Sequence, residues 1–273
     1  MDGGGCLYQA FVNGVNLHYD RLGNGEPLVL IHGLGERKEG WKFQHELAEQ
    51  FDLIIPDLRG FGKTECPEGH DITINAFARD VVGLLDHLGI KEAHICGLSM
   101  GGIVSQEIYK IHPEKVKSFI LASSISYVPN WLEKLLLFIR EKRYQNMTYD
   151  QYTSKATLSC LYDHSDETVQ KVIPAWSEHL NGFLPAWKAT LKIDYRETLK
   201  MIDVPTLVIA CQNDKILPTF CQKQMHKLIP NSKLHMIKKA GHVGKIEKAE
   251  EFNTVVLDFL LEDVTKSSNV FSA

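Results

Sequence analysis

The chain predicts an α/β fold: a mostly parallel twisted sheet, opened by an antiparallel hairpin and interrupted by an inserted block of helices. Three observations carry this. Short continuous apolar runs at 28–31, 51–55, 116–122 and 206–210 alternate with stretches of helical spacing, the pattern of βαβ units whose strands are buried on both faces. Residues 7–12 and 15–20 alternate apolar with polar around Asn13-Gly14, a two-residue hairpin signal. Between 124 and 196 no buried-strand run occurs, and aromatic-rich helical pieces take its place. The expected division is therefore a core formed by 1–124 and 197–273 around a helical lid at 125–196. One core with an insert also suits a chain of 273 residues.

After the hairpin, a turn at 23–27 feeds the 28–31 strand, and His32-Gly33-Leu34-Gly35 follows at once. A helical stretch over 41–49 leads to the strand at 51–55, closed by Pro56-Asp57. The loop 57–64 precedes a helix over 73–88, in which Ile74, Phe77, Val81, Leu84, Leu85 and Leu88 recur every three or four residues before Gly89 stops it. The run 93–96 is an expected buried strand, and 103–111 a helix ended by His112-Pro113. Helical pieces are expected over 131–140, 149–161 and 168–180 and through Trp187. Strands return at 206–210 and 234–237, a closing helix covers 247–261, and the polar tail after Asp263 is expected to fray.

Bulk composition excludes several classes of function. Apolar residues make up 44% and charged residues 23%, so a sizeable core is available and disorder is not indicated. A net charge of -4 without any Lys/Arg run argues against a nucleic-acid partner. No apolar run approaches a membrane span, and the first residues carry no secretory signal. Six scattered cysteines without a Cys-x-x-Cys pair favour reduced thiols and a cytoplasmic location.

The chemistry centres on Gly97-x-Ser99-x-Gly101, set between the 93–96 strand and the 103–111 helix. In that context the serine sits on a tight strand-to-helix turn, where side chains two positions away would meet backbone and glycine removes the collision. A serine hydroxyl is a poor nucleophile at neutral pH and needs a base, oriented in turn by a third group. Loops after late strands, at the same sheet edge, supply both: Asp214 follows 206–210, and His242 follows 234–237. Asp203 precedes its strand and is expected at the opposite edge. No His-Glu-x-x-His or clustered histidines suggest a metal, and no phosphate or dinucleotide loop is present, so no cofactor is expected.

His32-Gly33, Asp57-x-Arg59-Gly60-x-Gly62, Gly97-x-Ser99-x-Gly101-Gly102, Asp214 after a strand and Gly241-His242 occur in an order that resembles the lid-bearing α/β-hydrolase family. The resemblance covers the whole chain. It implies that Ser99 is the nucleophile, His242 the general base and acid, Asp214 the orienter of the imidazole, and the amides of Leu34 and Met100 the oxyanion hole. It also implies that His32 shapes the oxyanion loop, while Asp57 and Arg59 are expected to hold loops together as a charge-assisted pair. His94, inside the strand before the nucleophile, is expected to be structural. Thr64 stands where the family usually has Ser.

The implied reaction is acyl transfer from a small-molecule ester or lactone to water, in a chain that is a monomer or homodimer. Serine at the nucleophile position disfavours dehalogenase and epoxide-hydrolase chemistry, which uses aspartate there. Trp131, Phe138 and Trp187 are the substrate-binding candidates from the lid. The segment Gly-Leu-Ser-Met-Gly-Gly and residues 187–209 are similar to 3-oxoadipate enol-lactonases, which would give Arg140 or Arg143 a substrate carboxylate to receive. A ligand receptor on a hydrolase scaffold is the alternative from another class.

Overall fold

A computed structural model describes residues 8–131, 148–178 and 181–270, with side chains up to Glu262. Eight strands form one sheet in the order β1-β2-β4-β3-β5-β6-β7-β8. β1 (Tyr8–Val12) and β2 (Val15–Leu22) make the hairpin. Asn13 and Gly14 turn it with φ of 47° and 79°, the left-handed pair that a two-residue loop needs to follow the strand twist. β2 is antiparallel to β4 (Phe51–Pro56). All further pairings are parallel: β4 with β3 (Glu26–Ile31), β3 with β5 (Ala93–Leu98), β5 with β6 (Val116–Ala122), β6 with β7 (Thr206–Cys211), and β7 with β8 (Ser232–Ile237).

Parallel strands place their carboxyl ends on one edge, so the loops after β3, β5, β7 and β8 open on the same rim. Alternation along each strand divides the core between two faces. On one, Val29 and Ile31 join Ile95, Phe77 and Val104; on the other, Leu28 and Leu30 join Trp41, Phe252 and Val256.

Helices α1 (Ile74–His87) and α2 (Met100–Ile111) follow the expected apolar spacing. Thr73 caps α1 by accepting the Ala76 amide at 3.1 Å. Residues Lys38–Glu49 coil as a 3-10 helix that begins three residues before the expected start. The expected helix at 168–180 is instead α4 (Asp166–Val172) and one 3-10 turn, Ile173–Ala175, because Pro174 has no N–H to continue the ladder. The insert between β6 and β7 also holds α3 (Tyr149–Cys160), α5 (Phe183–Leu191) and α6 (Arg196–Lys200). After β7 comes α7 (Phe220–Leu228), which the apolar spacing does not predict, since its buried side chains are Cys221, Gln222 and Met225. α8 (Gly244–Glu247) precedes α9 (Ala249–Val270), which runs past the expected fraying point because no Gly or Pro interrupts 263–270.

The insert is tied to the rim by its backbone. Arg37 N–H donates to Ala175 O and Ser177 N–H to Gly35 O, both at 2.8 Å, so 175–177 lies alongside the loop after β3. Among the described residues no helix is long and apolar enough to cross a membrane, and no cluster of three His, Cys, Asp or Glu side chains is placed to hold a metal ion.

Candidate active site

Ser99 follows β5 directly, at φ 54° and ψ -114°, a left-handed conformation that costs an L-residue free energy. Neighbouring glycines make the turn possible. A Cβ on Gly97 would collide with Gly101 C and O, one on Gly101 with Ile31 O, and one on Gly102 with Ser124 Oγ. The main chain around Ser99 is fully tied: its N–H donates to Ala122 O at 2.9 Å, and its carbonyl accepts Ser124 Oγ at 2.8 Å. Among the described residues Ser99 Oγ makes no hydrogen bond and is left open for chemistry. Met100 is the first residue of α2, so its N–H lacks an acceptor within the helix.

Asp214 and His242 are brought together from the loops after β7 and β8. His242 Nδ1 lies 2.7 Å from Asp214 Oδ2, with the Asp214 side chain fully buried. An ionised carboxylate only accepts, so Nδ1 carries the proton and Nε2 is the nitrogen left with a free lone pair. Asp214 Oδ1 accepts the Ile216 and Leu217 amides, each at 2.8 Å, which fixes the carboxylate plane. His242 N–H donates to Cys160 O at 2.7 Å, and a Cβ on Gly241 would strike the same carbonyl. The end of α3 therefore sits directly on the histidine loop.

The loop after β3 is set by His32. Its Nε2 accepts the Leu58 amide at 3.0 Å and is therefore unprotonated; Nδ1 donates to Gly33 O at 2.8 Å. Burial holds the imidazole well below its ordinary pKa, in keeping with this neutral tautomer. Glu36 N–H donates to Gly33 O as well, at 3.2 Å. With its carbonyl pinned by two donors, the trans Gly33–Leu34 peptide points the Leu34 N–H the opposite way. That amide has no acceptor among the described residues.

Comparison with known proteins identifies the fold family. The profile of the alpha/beta hydrolase fold matches residues 26–249. The chain belongs to the α/β-hydrolase family. A curated relative of this α/β hydrolase is a 2-hydroxy-6-oxononadienedioate/2-hydroxy-6-oxononatrienedioate hydrolase of Pseudomonas putida, 31% identical over 90% of this chain and 92% of the relative. Among solved structures, a thermophilic esterase from Thermogutta terrifontis superposes with a TM-score of 0.84 at 25% identity, covering 94% of this chain and 97% of its own. An enol-lactonase from Burkholderia xenovorans gives 0.80 at 25% identity, covering 93% and 100%.

The other side chains singled out in this α/β hydrolase fall as follows. His94 is a buried strut, bonded to Ser118 Oγ at 2.7 Å and Glu26 Oε2 at 2.9 Å. Asp203 accepts the Tyr109 hydroxyl at 2.8 Å, ahead of β7 and away from the rim. The expected Asp57–Arg59 pair does not form. Arg59 instead makes a bidentate contact of 2.6 Å per bond with Asp80 of α1, while Asp57 accepts the Lys38 and Lys63 amides at 2.8 and 2.9 Å. The loop wraps its own carboxylate in backbone donors and sends the guanidinium outward to a planar partner.

Trp131 is 69% exposed, whereas Trp187 on α5 is buried in one apolar cluster with Tyr152 and Phe183. Phe138, Arg140 and Arg143 lie outside the described residues. Glu247 is a residue the sequence did not bring forward. Its carboxylate accepts Gly241 N–H at 2.6 Å, Tyr162 N–H at 2.8 Å and Asp163 N–H at 2.9 Å, and so joins the histidine loop to the insert. The only signal for it is a carboxylate five residues after His242.

Proposed function

We propose that this α/β hydrolase is a serine hydrolase that cleaves a carboxylic ester or lactone of a small to medium-sized substrate through an acyl-enzyme. The observation that carries the reading is the Asp214–His242 contact of 2.7 Å on the same sheet rim as Ser99, which itself stands at φ 54° on a strand-to-helix turn. In this reading Ser99 Oγ attacks the carbonyl as His242 Nε2 takes its proton. The amides of Leu34 and Met100 hold the oxyanion, and His242 gives the proton to the leaving oxygen. Water, deprotonated by the same imidazole, then releases the acid. Asp214 keeps Nδ1 protonated throughout and stabilises the imidazolium.

Residues 125–196 act as the lid in this reading, with Trp131 and Trp187 as its substrate-side candidates. The backbone ties between 175–177 and the loop after β3 support it, because they set the insert over the oxyanion amides. A second reading is favoured by the 31% identical relative, whose name describes hydrolysis of 2-hydroxy-6-oxononadienedioate or 2-hydroxy-6-oxononatrienedioate. The same serine and imidazole could serve a carbon–carbon bond, provided the departing carbon leaves as a stabilised enolate.

The test is a turnover screen of graded p-nitrophenyl esters, lactones and a 2-hydroxy-6-oxo dienoate, with Ser99→Ala as control. Multiple turnover on an ester or lactone, lost in the variant, is the expected result. Turnover confined to the dienoate would replace the ester reading by the carbon–carbon one. Binding of these compounds without turnover would mark a receptor.

A further inference from the structure

Lys245 is a lysine with its side chain wholly buried, three residues after His242 on α8. Its Nζ donates to Gly40 O, lies 3.3 Å from Glu36 Oε1, and sits 4.5 Å from the centroid of the Trp41 ring. Gly40 leaves room for this approach, since a Cβ there would lie 3.0 Å from Nζ. Glu36 is equally enclosed, with 3% of its side chain exposed. Its Oε2 accepts the Gly33 amide at 2.9 Å, and Oε1 has the lysine as an ion-pair partner rather than a directed hydrogen bond. Among the described residues no other cation pairs with Glu36. A buried ion pair of this kind is costly to desolvate and contributes little net stability, so its place in the fold calls for another explanation.

That place is the back of the oxyanion loop. Glu36 holds one peptide through its side chain, at Gly33 N–H, and the next through its backbone, at Gly33 O. Gly33 in turn abuts the nucleophile: a Cβ on it would lie 3.3 Å from Glu36 Oε2 and 3.6 Å from Ser99 Cβ. A bare carboxylate so close to the nucleophile would repel the negative charge that builds on a substrate oxygen in the transition state.

We infer that Lys245 is a positioning and charge-balancing residue: it neutralises Glu36, so that a carboxylate can hold the oxyanion loop without opposing the oxyanion. The inference rests on the serine-hydrolase reading above. It also links the loop that presents Leu34 N–H to the segment that carries His242, because one ammonium on α8 donates to Gly40 O and pairs with Glu36. Burial pulls the Lys245 ammonium below its ordinary range, and the Glu36 charge opposes that pull.

The two partners should therefore act unequally, and loss of the carboxylate should offset loss of the ammonium. The measurement is the rate at which a fluorophosphonate labels Ser99, with fluoride leaving phosphorus as Oγ bonds to it. This reads oxyanion stabilisation without knowledge of the natural substrate. Lys245→Met leaves the carboxylate uncompensated and is expected to lower the saturating labelling rate about tenfold to a hundredfold, with half-saturation changed about twofold at most. Glu36→Gln keeps an acceptor for Gly33 N–H but leaves the ammonium unpaired beside the oxyanion loop, and it is expected to slow labelling by less than Lys245→Met does.

The double variant E36Q/K245M should regain most of the loss in saturating labelling rate. Relief of an unpaired buried charge would restore stability as well, so the rates are compared where urea melts show every variant fully folded, a condition under which a merely structural role leaves them equal. Labelling of Lys245→Met at the parent rate, or a double variant as slow as the single one, overturns the inference while leaving the serine-hydrolase reading intact. A parent protein that does not label at Ser99 overturns that reading and this inference with it. Should Lys245→Met not fold, the double variant alone decides, since a loss of about tenfold or more in it is incompatible with charge balance.

Discussion

Ser99 holds a conformation that costs roughly 1–3 kcal/mol for a residue with a side chain, and the glycines at 97, 101 and 102 leave it no alternative path. Strain and chemistry can be separated by two substitutions. Ser99→Ala keeps the strain and removes the nucleophile, so turnover should fall by a factor on the order of 10⁶ with stability nearly unchanged. Ser99→Gly should lose as much activity yet gain about 1 kcal/mol in denaturant unfolding, because glycine tolerates this φ. If the glycine variant is no more stable than the alanine one, the turn is not strained. Asp214→Asn probes the other end of the triad. Its amide would present a donor to His242 Nδ1, now 2.7 Å from a carboxylate oxygen, and force the proton onto Nε2. A loss of about 10⁴ in kcat, with KM little altered, is expected from the wrong tautomer.

Between elements, buried carboxylates do the joining. Asp80 of α1 receives Arg59 through two bonds of 2.6 Å, with side chains 0% and 5% exposed, and so seats the loop that follows β4. Asp80→Asn should cost about 3–5 kcal/mol, since the guanidinium is left buried without its charge partner. Chemical denaturation measures this directly, and a cost under 1 kcal/mol would mean the loop relaxes outward. Joints of this kind were largely illegible in the sequence. Ser99 and Asp214 could be read because each lies just past an apolar run buried on both faces, and His242 because it follows Gly241 in the loop after the next strand. Asp80, Glu247, Glu36 and Lys245 are charged residues in a surface-like pattern, and only the packed fold reveals that their partners lie across it. The Asp57–Arg59 expectation failed for the same reason: proximity in the chain suggested a pair that geometry divides between other partners. Helix α7 was missed because its buried face carries Cys221, Gln222 and Met225 rather than an aliphatic stripe.

Over the whole molecule, the histidines give the fold a direction of pH dependence. His32 has no exposed surface, and burial holds its pKa below the ordinary value of 6.5; His18 and His45 are lowered by burial too. Above about pH 6.5 folded and unfolded chains both carry these rings neutral, so nothing is lost. As pH falls below that value the unfolded chain takes up protons that the folded one refuses. For a fully buried ring such as His32 the unfolding free energy then drops by up to about 1.4 kcal/mol per pH unit. Asp57 and Asp80, raised above 3.8 by burial, act in the opposite sense from that value upward, because the folded state there binds protons more readily than the unfolded chain. The net expectation is a stability that begins to decline as pH falls through the mid-sixes. His32→Gln isolates the fully buried contributor. Its amide can still donate to Gly33 O or accept from Leu58 N–H, so whatever the offset in stability, the acid slope should become shallower by as much as about 1.4 kcal/mol per pH unit. Identical slopes for the two proteins in urea melts at successive pH values would show that His32 takes up its proton in the folded state and that the neutral tautomer assigned to the oxyanion loop is wrong.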